Sequence, residues 1–514
     1  MKKFNLIISI CFIACFAMPI AASQGKHSRP NIIFILADDL GYGDIAAFNP
    51  QGKIKTPHID KLASQGIKFT DAHTSSSVCT PTRYGILTGR YNWRSVKKSS
   101  VLSGYSKALI PASRLTVASM LKAKNYNTAF IGKWHLGWDW AGTPKNIDYS
   151  KPITNGPQSL GFTYSFGHSG SLDMAPYVYV ENNMPTAIPT KTYPGAGSYA
   201  FARKGPIAPD FDITQVTPKF FKKAEQYITQ QAKKDKPFFL YLPLPSPHTP
   251  ILPTKQFQGK SKLNAYADFV VMIDHHMGKL LKTVKDAGIE DNTIIIFTSD
   301  NGCSPKGNFK LLKSLGHNPS AIYRGHKADI FEAGHKVPFI VKWPAVIKPN
   351  ATVNKTICTT DFLATIAQIV GHRLRDNQAE DSFSIMPLFN KTTSQDYARK
   401  NTIHSSIRGR FAITIGHYKL SVCAGSGGWS KPHDKDAIKQ GLPPVQLYNL
   451  QTDPGETNNI CKQYPRITKH LYKELLKTIN KGRSTPGTPQ SNDVNGNWRQ
   501  LKDVIKLGKW IDKL

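Results

Sequence analysis

Five short runs of consecutive apolar residues punctuate the first two thirds of the chain, at 31–37, 128–131, 238–242, 293–298 and 339–342. They are continuous rather than alternating and rich in Ile, Phe and Val, the pattern of strands buried on both faces. Between them the periodicity turns helical. One helix starts at Thr56-Pro57, with Thr as the cap and Pro at the first helical position. Others cover roughly 218–233, 263–287 and 361–371. Strands alternating with helices predict an α/β unit: a central, mostly parallel mixed sheet flanked by helices. After about residue 395 the texture changes. Segments 411–415, 417–422 and 445–450 read as short strands joined by turns, and 466–480 as one amphipathic helix. This predicts a smaller C-terminal α+β unit with an antiparallel sheet and one helix, followed by a Gly/Ser/Pro/Asn linker at 481–497 and a basic tail. The expected division is a large domain at 24–395 and a small one at 396–514. No internal repeat or heptad run is present.

The first four runs share a feature. Each leads, directly or within a few residues, into reactive side chains: Asp38-Asp39, Lys133 and His135, His248, and Asp300-Asn301. In open α/β sheets, ligand sites form beyond the carboxyl ends of the strands. One shared site built from four distant stretches is therefore expected. Residues 185–217 are rich in Pro, Gly and Thr with little periodicity, and a loop this long is expected near the substrate.

The N-terminus changes the compartment. Lys2 and Lys3 precede an apolar stretch that ends at Ala21-Ala22-Ser23, the layout of a secretory signal peptide over residues 1–23. The stretch is short for a membrane span, and Cys15 lacks the residues that usually precede a lipidated cysteine. No later segment is apolar enough to span a bilayer, so an exported protein is expected, periplasmic or secreted. Of seven cysteines, Cys11 and Cys15 leave with this segment. Five remain in an oxidising compartment, so one is special or free and up to two disulfides are open to the rest. The formal net charge is +33, which in an exported protein suits polyanionic partners. No recognition helix, zinc finger or RNA-binding motif supports nucleic acid.

The most informative segment is Cys79-Thr80-Pro81-Thr82-Arg83, continued by Leu87-Thr88-Gly89-Arg90. Thr80 and Pro81 read as the cap and first position of a helix. That puts Cys79 just before a helix N-terminus, where free N–H groups favour an anion. An acidic thiol or a buried structural cysteine would explain Cys79 alone, but not the Pro, the Arg and the continuation together. Asp38, Asp39, Asp300 and Asn301 offer only oxygen donors, which suits a hard cation such as Ca²⁺ or Mg²⁺. Gly132-Lys133-Trp134-His135-Leu136-Gly137, Ser246-Pro247-His248-Thr249-Pro250 and Tyr323-Arg324-Gly325-His326-Lys327 add further basic residues. A histidine held between prolines is rigidly presented.

Together these blocks resemble the formylglycine-dependent (type I) sulfatases of the alkaline-phosphatase-like superfamily, along nearly the whole mature chain. The resemblance implies the alkaline-phosphatase-like fold and a sulfuric ester hydrolase. It implies that a formylglycine-generating maturation enzyme converts Cys79 to formylglycine (3-oxoalanine), whose hydrate is the nucleophile. It implies one Ca²⁺ held by Asp38, Asp39, Asp300 and Asn301, with residue 79 (Cys79, as formylglycine) as a further ligand. Arg83, Lys133, His248 and Lys327 would bind the sulfate, and His135 would take a proton from the hydrate. His168, Asp173, His317 and Arg324 are candidates for sugar contacts, and His275-His276 for helix surface and core. Many relatives carry Gly-Gly where this chain has Ala333-Gly334 followed by His335. The expected substrate is a sulfated glycan, algal (ulvan, carrageenan, porphyran) or a glycosaminoglycan. The rival readings are a phosphodiesterase or phosphonate hydrolase of the same superfamily, and a non-catalytic polyanion-binding protein.

Overall fold

The computed structural model describes residues 29–390, 395–494 and 498–514; the expected signal segment, 1–23, lies outside the described residues. A ten-stranded sheet forms the centre. In chain order its strands are β1 (Asn31–Asp38), β2 (Ile67–Phe69), β3 (Asn127–Lys133), β4 (Tyr164–His168) and β5 (Val180–Glu181). They continue with β6 (Met184–Pro185), β7 (Phe238–Pro247), β8 (Thr293–Ser299), β9 (Phe339–Lys342) and β10 (Ala351–Val353). The order across the sheet is β10-β2-β9-β8-β1-β7-β3-β4-β5-β6. The block β8-β1-β7-β3-β4 is parallel, and β9 runs antiparallel to β8.

The continuous apolar runs follow from burial on both faces. On one face Ile33, Ile35, Leu240, Leu242, Ile295 and Phe297 pack under helices α4 (Val216–Gln231) and α5 (Ala265–Asp286). On the other, Ile32, Phe34, Leu36, Phe239, Tyr241, Ile294 and Ile296 pack with α2 (Cys79–Thr88), α3 (Val117–Ala123) and α6 (Phe362–Ile369). Strand side chains alternate between faces, so a strand sandwiched by helices has no polar side to show. Helix α1 (Pro57–Ser64) begins after Thr56, but that hydroxyl donates to Asp60 and accepts from the Ala46 N–H instead of capping the helix.

A second, antiparallel sheet joins β11 (Thr402–Ser405), β12 (Phe411–Ile415), β13 (Tyr418–Ser421) and β14 (Gln446–Asn449). Helix α7 (Pro465–Lys481) packs on it. The segment read as a basic tail is a further helix, α8 (Arg499–Ile511). Its apolar positions Leu501, Val504 and Ile511 recur at helical spacing among lysines and bury against Leu471, Tyr472 and Leu475 of α7. Tyr91 and Trp93, from just beyond α2, lie in this same core. The five described cysteines are all free and buried, so the disulfides left open by their number do not form. Cys358 and Cys461 pack as small apolar side chains in the third core.

Candidate active site

Four parallel strands deliver the centre from their carboxyl ends. Asp38 closes β1 and Asp39 follows it; Lys133 closes β3, with His135 two residues on; His248 follows β7; Asp300 and Asn301 follow β8. Asp39 (φ 64°), His135 (φ 55°) and Ala328 (φ 79°), the residue after Lys327, adopt left-handed backbone conformations. Such strain in non-glycine residues persists only where surrounding contacts impose it, and it clusters at functional sites.

Cys79 is the first residue of α2, and Val78, in extended conformation, holds the cap position. This shifts the helix start by two residues from the expectation that Thr80 caps it. The Thr80 hydroxyl instead donates to the His135 carbonyl at 2.9 Å, which ties the helix start to the β3 loop. Cys79 Sγ lies 3.6 Å from Asp38 Oδ1 and 3.6 Å from Lys327 Nζ. Burial drives its thiol pKa well up, only partly offset by Lys133 and Lys327. The thiol is therefore neutral and a poor nucleophile as it stands.

Arg83, one turn into α2 and fully buried, braces the strand ends. Its Nε and Nη2 donate to Asp300 Oδ2 at 3.0 and 2.8 Å, and Nη1 donates to the Lys133 carbonyl at 2.8 Å. Asp38 Oδ2 lies 3.7 Å from Nη2. Lys133 Nζ bonds to Asp38 and, at 3.1 Å, to Ser171 Oγ. Lys327 Nζ is 2.6 Å from Asp39 Oδ1, and His248 Nε2 is 3.6 Å from Asp39 Oδ2. Burial pushes the Asp38 carboxyl up, but Lys133, His248, Arg83 and Lys327 outweigh it and hold it well below the usual range. Asp300 goes the other way. Burial, then the charge of Asp38, carry it up to about 7 against the pull of Arg83 and Lys133. Burial and the nearby Lys133 and Arg83 hold His135 well below its ordinary value, so its ring is neutral. His135 Nε2 sits 2.8 Å from the Leu102 carbonyl, an acceptor that fixes the proton on Nε2. Nδ1 is left as a buried, unprotonated nitrogen with no partner.

The donor set fits a hard cation. Asp39 Oδ2 and Asn301 Oδ1 are buried oxygens without a hydrogen-bond partner, which is costly unless a cation takes them up. Three carboxylates and an amide oxygen, with no soft ligand required, match Ca²⁺ or Mg²⁺ chemistry. A surface cleft of about 510 Å³, lined by Arg29, Asn31, Pro237 and Asn292, sits at the amino ends of the strands, away from this centre.

The candidate sugar contacts are distributed differently. Asp173 is near the centre: it follows Ser171, pairs with Arg203 and keeps a buried Oδ1 without a partner. This bond brings the 185–217 segment to the pocket. His168 is buried in β4 and stacked on Phe220, with its pKa lowered to about 3 by burial and then Lys133 and Arg83. His317 is enclosed, with Nε2 2.8 Å from Asp44 Oδ1 and Nδ1 accepting from the Lys53 N–H. Arg324 lies over the Phe331 ring and donates to the Glu456 carbonyl at 2.6 Å. Protein groups take up both ring nitrogens of His317, and His168 has no exposed face, so the expectation of sugar contacts is corrected for these two; Arg324 is only half-buried. His335 is buried, stacked on His404 at 3.8 Å and 3.0 Å from His73 Nδ1. His276 stacks on Phe221 inside the first core's rim, and His275 lies against Phe257.

Sequence reading missed Ser171, whose Oγ contacts Lys133 and lies 3.4 Å from His248. It also missed Tyr266, which bonds both to Asp44 and, at 3.1 Å, to the carbonyl of Asp39. β4, Tyr-Ser-Phe-Gly-His, is too polar to read as a buried strand, so the reactive residues after it went unseen. Its position as the next parallel strand beside β3 was the available signal.

A parallel sheet that gathers a helix-borne cysteine, a carboxylate cluster and a ring of cations at its carboxyl ends suits hydrolysis of an anionic ester. The sulfatase family model matches residues 30–372. An N-acetylgalactosamine-6-O-sulfatase of Bacteroides thetaiotaomicron is 33% identical over 92% of this chain and 98% of its own. Human arylsulfatase A is 29% identical over 89% of this chain and 88% of its own. A solved Bacteroides thetaiotaomicron structure, connected with the metabolism of multiple glycosaminoglycans, superposes with a TM-score of 0.77. It is 31% identical and covers 88% of this chain and 99% of that one. The chain belongs to the sulfatase family, with its alkaline-phosphatase-like fold, and is a sulfuric ester hydrolase.

Proposed function

We propose that this protein is an exported sulfatase that removes sulfate esters from a sulfated glycan, with residue 79 matured to formylglycine and Ca²⁺ bound beside it. The observation that carries this reading is Cys79 itself. It is a buried, neutral thiol at the start of a helix, 3.6 Å from both Asp38 and Lys327, inside a ring of cations. When bound by Asp38, Asp39, Asp300 and Asn301, Ca²⁺ would supply Lewis-acid polarisation of the sulfate oxygens. Conversion of Cys79 to formylglycine would supply a hydrated aldehyde, with one hydroxyl for attack on sulfur and a second for release of sulfate.

The remaining roles belong to side chains already in position. Lys133 and Lys327 offset negative charge on the sulfuryl group, and Arg83 holds Asp300 and the β3 end in register. His248, between them and Asp39, faces the leaving oxygen and donates to it. His135, neutral and with Nδ1 unprotonated, accepts the proton whose loss frees the product. The net charge of +33 and the 33% identity to an N-acetylgalactosamine-6-O-sulfatase support a polyanionic sugar chain, with 6-sulfated N-acetylgalactosamine the first candidate. The apolar stretch before Ala21-Ala22-Ser23 supports export to the periplasm or beyond.

The test is inorganic sulfate release from a panel of glycosaminoglycan and algal oligosaccharides, using protein co-expressed with a formylglycine-generating enzyme. Cys79→Ala should fold normally and release nothing. Wild-type turnover by Cys79→Ala, or no release from any glycan by fully converted protein, would overturn the reading.

A further inference from the structure

A second cleft, of about 430 Å³, is lined by residues that nothing in the chemistry above uses. Its walls come from three distant stretches: Ser99-Ser100, the β11–β12 turn with Ile407 and Arg408, and the loop carrying Trp429 and Lys435; Arg499 and Gln500 of α8 close it. The cleft is tied to the active site through backbone. The Ser100 N–H donates to the Ile407 carbonyl, the Ile407 N–H to the Ala328 carbonyl, and the Ala328 N–H to the Ser77 carbonyl. Ala328 follows Lys327, and Ser77 lies two residues before Cys79. On its other side, Ser100 is two residues from Leu102, whose carbonyl orients His135.

Two properties of this cleft point to a ligand. The first is Trp429, a large aromatic 44% exposed. It does not sit on a loose loop. The N–H groups of Trp429 and Ser430 both donate to Asp329 Oδ1, at 2.8 and 3.0 Å. Gly428 packs so closely that a Cβ there would meet the Ala328 carbonyl at 2.3 Å. An exposed ring whose backbone is held by Asp329, two residues after Lys327, loses little entropy on stacking against a partner. The second is charge. The acids of the cleft, Asp434 and Asp503, are both spent on Arg410, at 2.7 and 2.5 Å. Arg408, Lys435 and Arg499 are exposed and have no acidic partner among the described residues. An aromatic platform ringed by three uncompensated cations suits an anionic saccharide, whose apolar sugar face stacks and whose sulfate or carboxylate groups take the cations.

We propose that this cleft is a subsite for the neighbouring anionic sugar of the chain being desulfated, with Trp429 as stacking platform and Arg408, Lys435 and Arg499 as anion contacts. It rests on the reading of the substrate as a sulfated glycan. It adds that the enzyme recognises an oligosaccharide rather than a single sulfated sugar, and that the C-terminal unit and α8 supply that recognition.

The test compares 6-sulfated N-acetylgalactosamine with a chondroitin 6-sulfate hexasaccharide, for matured wild type, Trp429→Ala and the double variant Arg408→Gln/Arg499→Gln. The expected result is a fall of about tenfold in kcat/KM on the hexasaccharide for each variant, with monosaccharide values unchanged. The salt dependence of hexasaccharide kcat/KM should also flatten in the double variant. Equal effects on both substrates, or none on either, would overturn the proposal. If wild type desulfates neither probe, direct titration decides instead. Hexasaccharide binding to Cys79→Ala that weakens about tenfold when Arg408→Gln/Arg499→Gln is added supports the cleft. Binding that is absent or unaltered rejects it. The side chains of Trp429, Arg408 and Arg499 are exposed, so the variants should fold, and unfolding midpoints close to wild type would verify it.

Discussion

Arg83→Met removes the guanidinium that joins α2 to the ends of β3 and β8. The loss can be worked from its partners. Two charge-assisted bonds to Asp300 Oδ2, at 3.0 and 2.8 Å, and one to the Lys133 carbonyl at 2.8 Å disappear. Asp300 stays fully buried beside Asp38 with its main counter-charge gone. Removing one partner of a buried pair costs about 3–5 kcal/mol, most of it the burden of the stranded charge. Methionine fills much of the volume, so cavity formation adds little. Asp300 is already raised to about 7 with Arg83 present; without it the carboxyl should protonate and recover part of the loss. Asp300→Asn in the Arg83→Met background should therefore cost less than the sum of the two single changes, by about 1–3 kcal/mol. Urea unfolding of the four proteins in calcium-free buffer with chelator keeps metal binding out of the comparison. Additive single and double variants, or an Arg83→Met loss below about 1 kcal/mol, would refute the argument that this pair braces the centre.

Three further outcomes follow from the same structure. Chelation should lower the unfolding temperature and added Ca²⁺ should restore it, by about 2.7 kcal/mol at a hundredfold excess over Kd. Asp39→Asn should abolish that calcium response, as measured by thermal scans with and without the ion. His276, whose pKa is lowered to about 4 by burial, then His275 and Lys279, binds fewer protons folded than unfolded. Its stabilising contribution is full above the unfolded value of about 6.5 and is lost as pH falls from there towards 4. His276→Phe should therefore show a shallower fall of urea midpoint between pH 7 and pH 5 than wild type; an equal slope would assign the acid sensitivity elsewhere. Truncation before Trp498 removes Leu501, Val504 and Ile511 from the third core and should lower stability by several kcal/mol, at about 1.5–3 kcal/mol per buried aliphatic side chain. An unfolding curve matching the full chain would show that α8 adds no stability.

The sequence by itself carried the central architecture, because a strand sandwiched between two helical layers must be apolar at every position, as Ile32 to Leu36 are. It also carried the Cys79 motif and the four strand-end clusters, because side chains gathered at the carboxyl ends of parallel strands are written in short contiguous motifs. What it hid was of two kinds. α8 reads as a basic tail because only one stripe of it is apolar. β4 and Ser171 escape because a polar strand is buried only when its neighbours cover it. The remaining decisions were tertiary. His317 and His168 look in sequence like free polar groups, and only packing shows that Asp44 and Phe220 have already claimed them. Asp38 and Asp300 are the same residue type after neighbouring parallel strands, yet one is held ionised and the other raised to about 7. That difference is set by burial and by which charges, the other carboxylate included, stand beside each group in three dimensions, and no spacing along the chain encodes it.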